Sequence, residues 1–334
     1  MTFIGTHTRG LRGFTLVALC ATIAVSIFDS AAHAQSYPTK PVRLVLPLAA
    51  GGGTDVMARP IAQRLSEIWG QPVIVENRPG ANQIVGMEYV AKAAPDGYTI
   101  LVAGEAGVTF NKYMYSKLPY DSIRDFEGIS RLIEVNAFLA VPTSLPANNA
   151  KEFVALMKKD GEKMNYGSPG IGDPMHIGME WFKNVAGFPL MHVPYKGAAA
   201  AQMGILSGET HAQLTTALSA DQHIKSGKLK VIVMSGARRS PAFPNVETLS
   251  EAGYPIRFGY YLALLAPKGT PVAILNKIAA DFKTVMNEPA YRSKYIDPYD
   301  FELINDTPAE FNAFLKTDIV AAEKKIKDSG AKLD

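Results

Sequence analysis

The fold is indicated by the sequence VRLVLPLAAGGGTD at residues 42–55, in which a short apolar run meets a glycine-rich turn. Residues 42–48 predict a strand, since they form a short apolar run bounded by turn residues. Residues 54–69 predict an amphipathic helix, because apolar side chains recur at i, i+4, i+8 and i+11 from Met57. Pro60 lies inside that pattern and should kink the helix or end its first turn. Strand, glycine turn and helix in this order predict the start of a βα unit.

The same alternation continues along the chain. Further strands are predicted at residues 72–76, 99–102, 137–141, 190–193, 212–216, 229–234 and 260–266. Further helices are predicted at residues 85–94, 150–160, 174–185, 198–206, 220–226, 272–287 and 308–329. The rhythm predicts an α/β fold with mostly parallel sheets flanked by helices.

The absence of a flexible Ser/Gly linker predicts two lobes without a tether between them. We expect a discontinuous first lobe, residues 35–137 plus 258–334, and a second lobe, residues 138–257. The chain should cross between them near residues 134–139 and 258–262, and two crossings form a hinge. Closure about a hinge around a ligand is an established transition for such a layout.

Composition excludes several classes of protein. The 334 residues are 47% apolar and 19% charged, which excludes intrinsic disorder, collagen and coiled coil. A net charge of +3 is too small and too dispersed for a nucleic-acid surface. The single cysteine, Cys20, excludes a disulfide framework and a cysteine-rich zinc module. No histidine pair has metal-ligand spacing and no nucleotide motif is present, so we expect no metal and no cofactor.

The first residues predict an export signal. Arg9 and Arg12 precede an uncharged run at residues 13–28, and Ala32-His33-Ala34 fits a cleavage site. We therefore expect cleavage after Ala34, with an uncleaved N-terminal anchor as the alternative. The mature chain would contain no cysteine, so it would depend on its core for stability and could not perform thiol chemistry.

The glycine turn at residues 49–55 is the first candidate binding loop. Its three glycines let the backbone approach a ligand closely. A helix N-terminus with free N–H groups follows, which suits an anion, and Thr54 and Asp55 are common N-cap residues. A small-anion cradle and an ordinary βα turn are both compatible with this pattern.

A second glycine-rich turn, residues 166–176, also precedes a predicted helix. Ser168 with Asp173 and His176 allows an alternative function, an exported hydrolase, although Tyr166 occupies the first position of the G-x-S-x-G elbow. Two further loops, one with Lys196 and one at Thr216, also follow strands. In open α/β sheets ligands bind at the carboxyl ends of strands, where all four loops should lie.

The sequence resembles the Bug-type extracytoplasmic solute receptors, the substrate-binding subunits of tripartite tricarboxylate transporters. The resemblance is carried, in order, by residues 37–48, 50–55, 75–81, 94–99, 118–121, 165–172, 194–197, 227–229 and 266–271. It implies a two-lobed periplasmic-binding-protein fold of the second type and a non-catalytic periplasmic protein. Such a protein captures a small carboxylate, delivers it to membrane permease subunits, and needs no cofactor and no nucleic acid. A monomer is expected, and a receptor for a sensor kinase is the alternative role.

The resemblance also implies which residues bind the ligand. In the first lobe and the loop after its third strand these are Gly52, Gly53, Thr54, Asp55, Glu105, Ala106 and Thr109. In the second lobe they are Ser168, Pro169, Gly172 and Thr216. A lining Glu105 would oppose a ligand that is anionic at its far end, which favours a monocarboxylate, an amide or an amino-bearing ligand.

Overall fold

The computed structural model describes residues 1–2, 37–299 and 301–331. The predicted signal motifs, including Arg9, Arg12 and the cleavage site after Ala34, lie outside the described residues. Among the helices that are described, none has both the length and the apolar character that a bilayer span requires.

The strands alternate with helices as the sequence pattern predicts. The strands are β1 Val42–Leu46, β2 Val73–Asn77, β3 Thr99–Gly104, β4 Phe126–Asn136, β5 Phe138–Pro142, β6 Asn165–Ser168, β7 Met191–Pro194, β8 Ala212–Thr215, β9 Leu229–Met234, β10 Gly259–Pro267 and β11 Glu302–Leu303. The helices are α1 Gly53–Trp69, α2 Ile84–Ala91, α3 Asn111–Met114, α4 Ala150–Asp160, α5 Pro174–Ala186, α6 Ala198–Ser207, α7 Ala217–Lys225, α8 Val272–Asn287, α9 Pro289–Tyr295 and α10 Pro308–Ser329. A π-helical turn, Ala106–Phe110, separates β3 from α3.

Two sheets, each with its own apolar core, organise the chain. The first has the order β11-β4-β10-β3-β1-β2 and the second the order β7-β6-β8-β5-β9. Leu44 and Val45, which point to opposite faces of β1, are both almost fully buried because helices cover both faces of the sheet there. The chain passes from the first sheet to the second at Ala137 and returns after β9.

The α/β fold class is as predicted, but the sheets are mixed rather than mostly parallel. β1 is parallel to β2 and β3, and β6 is parallel to β7 and β8. The strands at the crossings run the other way: β10 is antiparallel to β3 and β4, and β5 is antiparallel to β8 and β9. The physical reason is that a chain leaving one sheet and returning to it must reverse its direction beside the strands already there.

Pro60 lies inside α1 without ending it. It stands in the second turn of a helix that runs unbroken from Gly53 to Trp69. The expectation that it would end the first turn is therefore wrong. The buried face of α1, which includes Met57, Ile61 and Leu65, packs on the sheet and holds the helix in place.

The last helix, α10, begins at a capping box. The Thr307 hydroxyl accepts from the Glu310 amide at 3.3 Å, and Glu310 accepts from the Thr307 amide at 2.8 Å. We expect Thr307→Ala to lower the free energy of unfolding by about 1 kcal/mol, because the Glu310 amide loses the hydroxyl that accepts from it. Urea unfolding followed by circular dichroism measures the change. Thr317→Ala, in the exposed middle of the same helix, is the control and should change stability by less than about 0.5 kcal/mol.

Candidate functional site

A cleft of about 630 Å³ lies where the two sheets face each other. Its walls follow the carboxyl ends of β1, β2 and β3 on one side and of β6, β7 and β8 on the other. Ligands of open α/β sheets bind at this end of the strands. A cavity of this size accommodates a small organic molecule.

Five of the residues predicted from the sequence line this cleft. Gly52, Gly53 and Thr54 lie on one side, and Pro169 and Thr216 lie on the other. These residues belong to three of the four predicted loops, and Lys196 of the remaining loop also lines the cavity.

The other six predicted residues do not line the cleft: Asp55, Glu105, Ala106, Thr109, Ser168 and Gly172. They are buried behind it. Their role in ligand binding stays a prediction.

Asp55 supports the glycine turn from behind. Its carboxylate accepts from Arg59 Nε and Nη2 at 2.9 and 2.8 Å and from the Gly51 amide at 2.9 Å. Burial raises the pKa of Asp55, but the hydrogen bonds from Arg59, Gly51 and Asn77 outweigh it and hold the pKa below its usual range. The ionised Asp55 thus fixes the turn, while its oxygens are already occupied.

Glu105, Ala106 and Thr109 are buried because the chain enters the π-helical turn directly after β3. Glu105 is 1% exposed and pairs with Lys325 of α10 at 2.6 Å. Thr109 donates its hydroxyl proton to the Glu105 carbonyl at 3.2 Å. Glu105 therefore anchors α10, and the sequence argument that it opposes an anionic group of the ligand no longer applies.

Ser168 and Gly172 shape the second glycine turn from inside. The Ser168 Oγ lies 2.6 Å from His192 Nε2 and 3.1 Å from the Gly170 carbonyl. The Gly172 amide donates to His176 Nδ1 at 3.1 Å, and the rings of His176 and His192 stack at 4.1 Å. Burial lowers the pKa of His176 to about 4 and that of His192 to about 3, so both rings are neutral at pH 7.

The Ser168–His192 pair does not form a nucleophilic site. Ser168 is completely buried, and the cleft does not reach it. An attacking hydroxyl must come within about 3–3.5 Å of the substrate carbon. The contact instead ties β6 to β7 at the root of the binding loop.

Three helix N-termini open into the cleft without a side-chain cap. The N-cap residues are Gly52 of α1, Gly197 of α6 and Thr216 of α7. All three residues line the cavity. The first N–H groups of a helix have no partner within it and carry partial positive charge. The cleft therefore presents backbone donors from both halves of the protein to an anion.

The two walls are already close together. A Cβ atom added to Gly53 would lie 3.3 Å from Leu218 Cδ2, and one added to Gly172 would lie 2.7 Å from Asn82 Nδ2. The turn at Ala81, Asn82 and Gln83 has φ values of 44°, 48° and 76°. Asn111 stabilises this left-handed turn by donating to the Asn82 carbonyl at 2.8 Å.

Side chains outside the predicted ligand-binding set complete the lining. They include Gln83, Asp173, Gln213, Leu218 and Tyr260. Among the described lining residues, the Asp, Glu, Lys, Arg and His side chains are those of Asp173 and Lys196.

Asp173 has a strongly perturbed pKa. Burial raises the pKa to about 7, although the Met175 amide donates to the carboxylate. The folded state therefore holds a proton that the unfolded carboxyl loses near pH 3.8. The stability contributed by that proton is present at low pH and is lost as the pH rises towards 7.

We expect wild-type stability relative to Asp173→Asn to fall as the pH rises from 4.5 to 7. The slope should be at most about 1.4 kcal/mol per pH unit, reduced by the partial solvent access of Asp173. Asparagine keeps the N-cap of α5, so the comparison isolates the charge. Urea unfolding of both proteins at several pH values measures the slope, and a constant difference would contradict it.

The fold and the cleft together define a class of protein, the two-lobed periplasmic binding proteins. The solved structure of the periplasmic binding protein BugD has a TM-score of 0.82 to this chain at 30% identity, and covers 89% of this chain and 99% of BugD. The profile of the tripartite tricarboxylate transporter family receptors, TctC, matches residues 57–330. The chain belongs to this family.

Other relatives agree with the assignment. A UPF0065 protein of Bordetella pertussis is 37% identical over 286 residues, which are 84% of this chain and 87% of that protein. Rpa4515 of Rhodopseudomonas palustris, solved with adipate, has a TM-score of 0.84 at 28% identity and covers 89% of this chain and 100% of its own. MatC of the same organism, solved with bound malate, has a TM-score of 0.80 at 26% identity, with coverage of 87% and 100%.

Proposed function

We propose that this protein is a non-catalytic periplasmic receptor that captures a small carboxylate in the cleft and delivers it to the membrane subunits of a tripartite transporter. The observation that carries the proposal is the convergence of three uncapped helix N-termini, from both halves, on one cavity. Adipate and malate in the related structures are carboxylates, which supports the same chemistry here.

The carboxylate would lie between Gly53 and Thr54 on one side and the starts of α6 and α7 on the other. Each N-terminus contributes roughly 0.3–2 kcal/mol, and each charge-assisted hydrogen bond roughly 1.5–3 kcal/mol. After association costs, these interactions are of the size of the ~8 kcal/mol of a micromolar complex. The exposed ammonium of Lys196 adds attraction to an acid.

The moving parts would be the lobes of residues 35–137 plus 258–334 and residues 138–257. The strand order supports these limits, since the two crossings separate the sheets. A monomer suffices for this role, because both walls of the cleft come from one chain. The proposal requires no cofactor.

Isothermal titration with a panel of mono-, di- and amino-carboxylates tests the proposal. We expect saturable binding of at least one acid with a dissociation constant of about 1 μM or lower, because closure excludes water from the charge-assisted hydrogen bonds. The same mixtures, analysed for product after a day, should contain none. A panel without binding, or any catalytic turnover, would contradict the proposal.

A further inference from the structure

One wall of the cleft carries hydrogen-bond acceptors that a simple acid would not satisfy. Asp173 lines the cavity beside the start of α5, and one of its oxygens accepts from the Met175 amide at 2.8 Å. Its other oxygen can accept a further hydrogen bond. In its ionised form this carboxylate repels an anion bound in the same cleft unless something positive stands between them.

Gln213 provides a second acceptor. It lies on β8 beside Gly167 of β6, is 2% exposed, and lines the cleft. Its Oε1 has no hydrogen-bond partner among the described residues. A buried polar atom of this kind costs free energy until a ligand donates to it.

Asp173 lies close to the hinge strand β10. Burial and, after it, the Asp173 charge raise the pKa of the Tyr260 hydroxyl, which also faces the cleft. Asp173 and Gln213 are thus less exposed than Lys196.

The following inference rests on the proposed function and specifies its ligand. We propose that the ligand is an amino-carboxylate, whose carboxylate meets the helix N-termini and whose ammonium donates to Asp173 and Gln213. A zwitterion matches the charges of the lining, one cation at Lys196 and one anion at Asp173. A second carboxylate at the same place would meet Asp173 directly. The raised pKa of Asp173 agrees with this, because a buried carboxyl without a cation favours its neutral form.

Matched pairs of acids, with and without an amine on the same carbon chain, test the inference. Titrations would compare 4-aminobutyrate with butyrate, glutamate with glutarate, and 2-aminobutyrate with 2-hydroxybutyrate. We expect one amino-carboxylate to bind about 10-fold or more tightly than its amine-free partner, because only the amine satisfies both acceptors. High-resolution mass spectrometry of small molecules released from the purified protein should find a nitrogen-containing acid.

The Asp173→Asn variant separates the charge of this residue from its structural role. Asparagine is an equally good N-cap, so α5 should keep its start. Affinity for the amino-carboxylate should fall about 10-fold, because a charge-assisted bond is lost. The amine-free acid should bind as well as before or better.

Gln213→Met and Gln202→Met form a matched control pair. Gln202 of α6 is 5% exposed, and both of its amide atoms lack hydrogen-bond partners within the described part of the chain, but it is not among the residues that line the cleft. We expect Gln213→Met to weaken binding of the amino-carboxylate about 5-fold and Gln202→Met to leave that affinity unchanged.

The outcomes distinguish the two proposals. Tighter binding of glutarate or butyrate than of any amine-bearing partner, unchanged in Asp173→Asn, would overturn the amino-carboxylate inference and leave the carboxylate receptor intact. Failure of every acid to bind would overturn both.

Discussion

Replacing Lys325 by methionine is expected to lower the free energy of unfolding by about 3 kcal/mol at pH 8. Lys325 is the cation that pairs with Glu105, which is 1% exposed. Asp318, also buried, adds negative charge nearby and accepts from the Tyr261 hydroxyl at 2.9 Å. Without Lys325 the Glu105 carboxylate loses its partner and must remain charged in the core or take up a proton. The expected loss in the free energy of unfolding is at the low end of the range for breaking a buried ion pair, because Lys325 is 31% exposed.

The neighbouring lysine is a matched control for this prediction. Lys324 pairs with Asp328 on the exposed face of the same helix and is 77% exposed. Lys324→Met should therefore cost less than about 0.5 kcal/mol. Glu105→Gln combined with Lys325→Met should recover most of the loss, because a neutral amide then replaces the buried Glu105 carboxylate.

The pH dependence of the Lys325→Met deficit has a defined sign. Burial raises the pKa of Glu105, so the carboxyl of the variant is neutral at low pH and costs little there. Urea unfolding at pH 5.5 and 8 should show a larger deficit at pH 8. Equal costs for Lys324→Met and Lys325→Met would contradict the role assigned to the pair. Glu105→Gln alone should leave ligand affinity unchanged, since Glu105 does not line the cleft.

Much of the fold was predictable because local signals agreed with the tertiary structure. Helices predicted at residues 150–160, 272–287 and 308–329 have the same bounds in the structure. Asn149 caps the first of these by accepting from the Glu152 amide, and Gly330 in the left-handed region ends the last. Such caps depend on neighbouring residues only, and a sequence displays them directly.

No strand was predicted at the position of β4, and the reason is physical. Its pairing with β10 has register shifts that break the two-residue alternation. The half-buried charged residues Glu127, Arg131 and Glu134 consequently recur every three or four positions, as in a helix. The bulges depend on the partner strand, which lies more than 120 residues further along the chain.

The sequence predicted where the backbone of the binding loops lies, but not which side chains face the cleft. The glycine turns face the cleft because the strands before them end there, which local sequence shows. Polar residues beside those turns were expected to bind ligand, but Glu105 is paired with a residue 220 positions away and Ser168 with one 24 positions away. Gln213 gave no local signal, because only the sheet register shows which face of β8 it occupies.

Gly53→Val is expected to weaken carboxylate binding more than about 100-fold, which corresponds to about 2.8 kcal/mol. Gly53 is the first residue of α1 and lines the cleft. Its added Cβ would lie 3.3 Å from Leu218 Cδ2, and the two methyl groups of valine extend further. The side chain would therefore cover the N–H groups of α1 and separate the walls that close on the ligand.

A graded series tests whether this loss comes from the contact with Leu218. Gly53→Ala adds a single carbon and should weaken binding of the tightest-bound acid of the panel about 5-fold, since the Leu218 side chain must move by a few tenths of an ångström. Leu218→Ala in the Gly53→Val background should restore part of the affinity by making room across the cleft. The fold should persist in each variant, because φ at Gly53 lies outside the left-handed region that favours glycine. Full affinity in a folded Gly53→Val protein would show that the start of α1 does not bind the acid. That result would contradict the proposal that both halves of the cleft hold it.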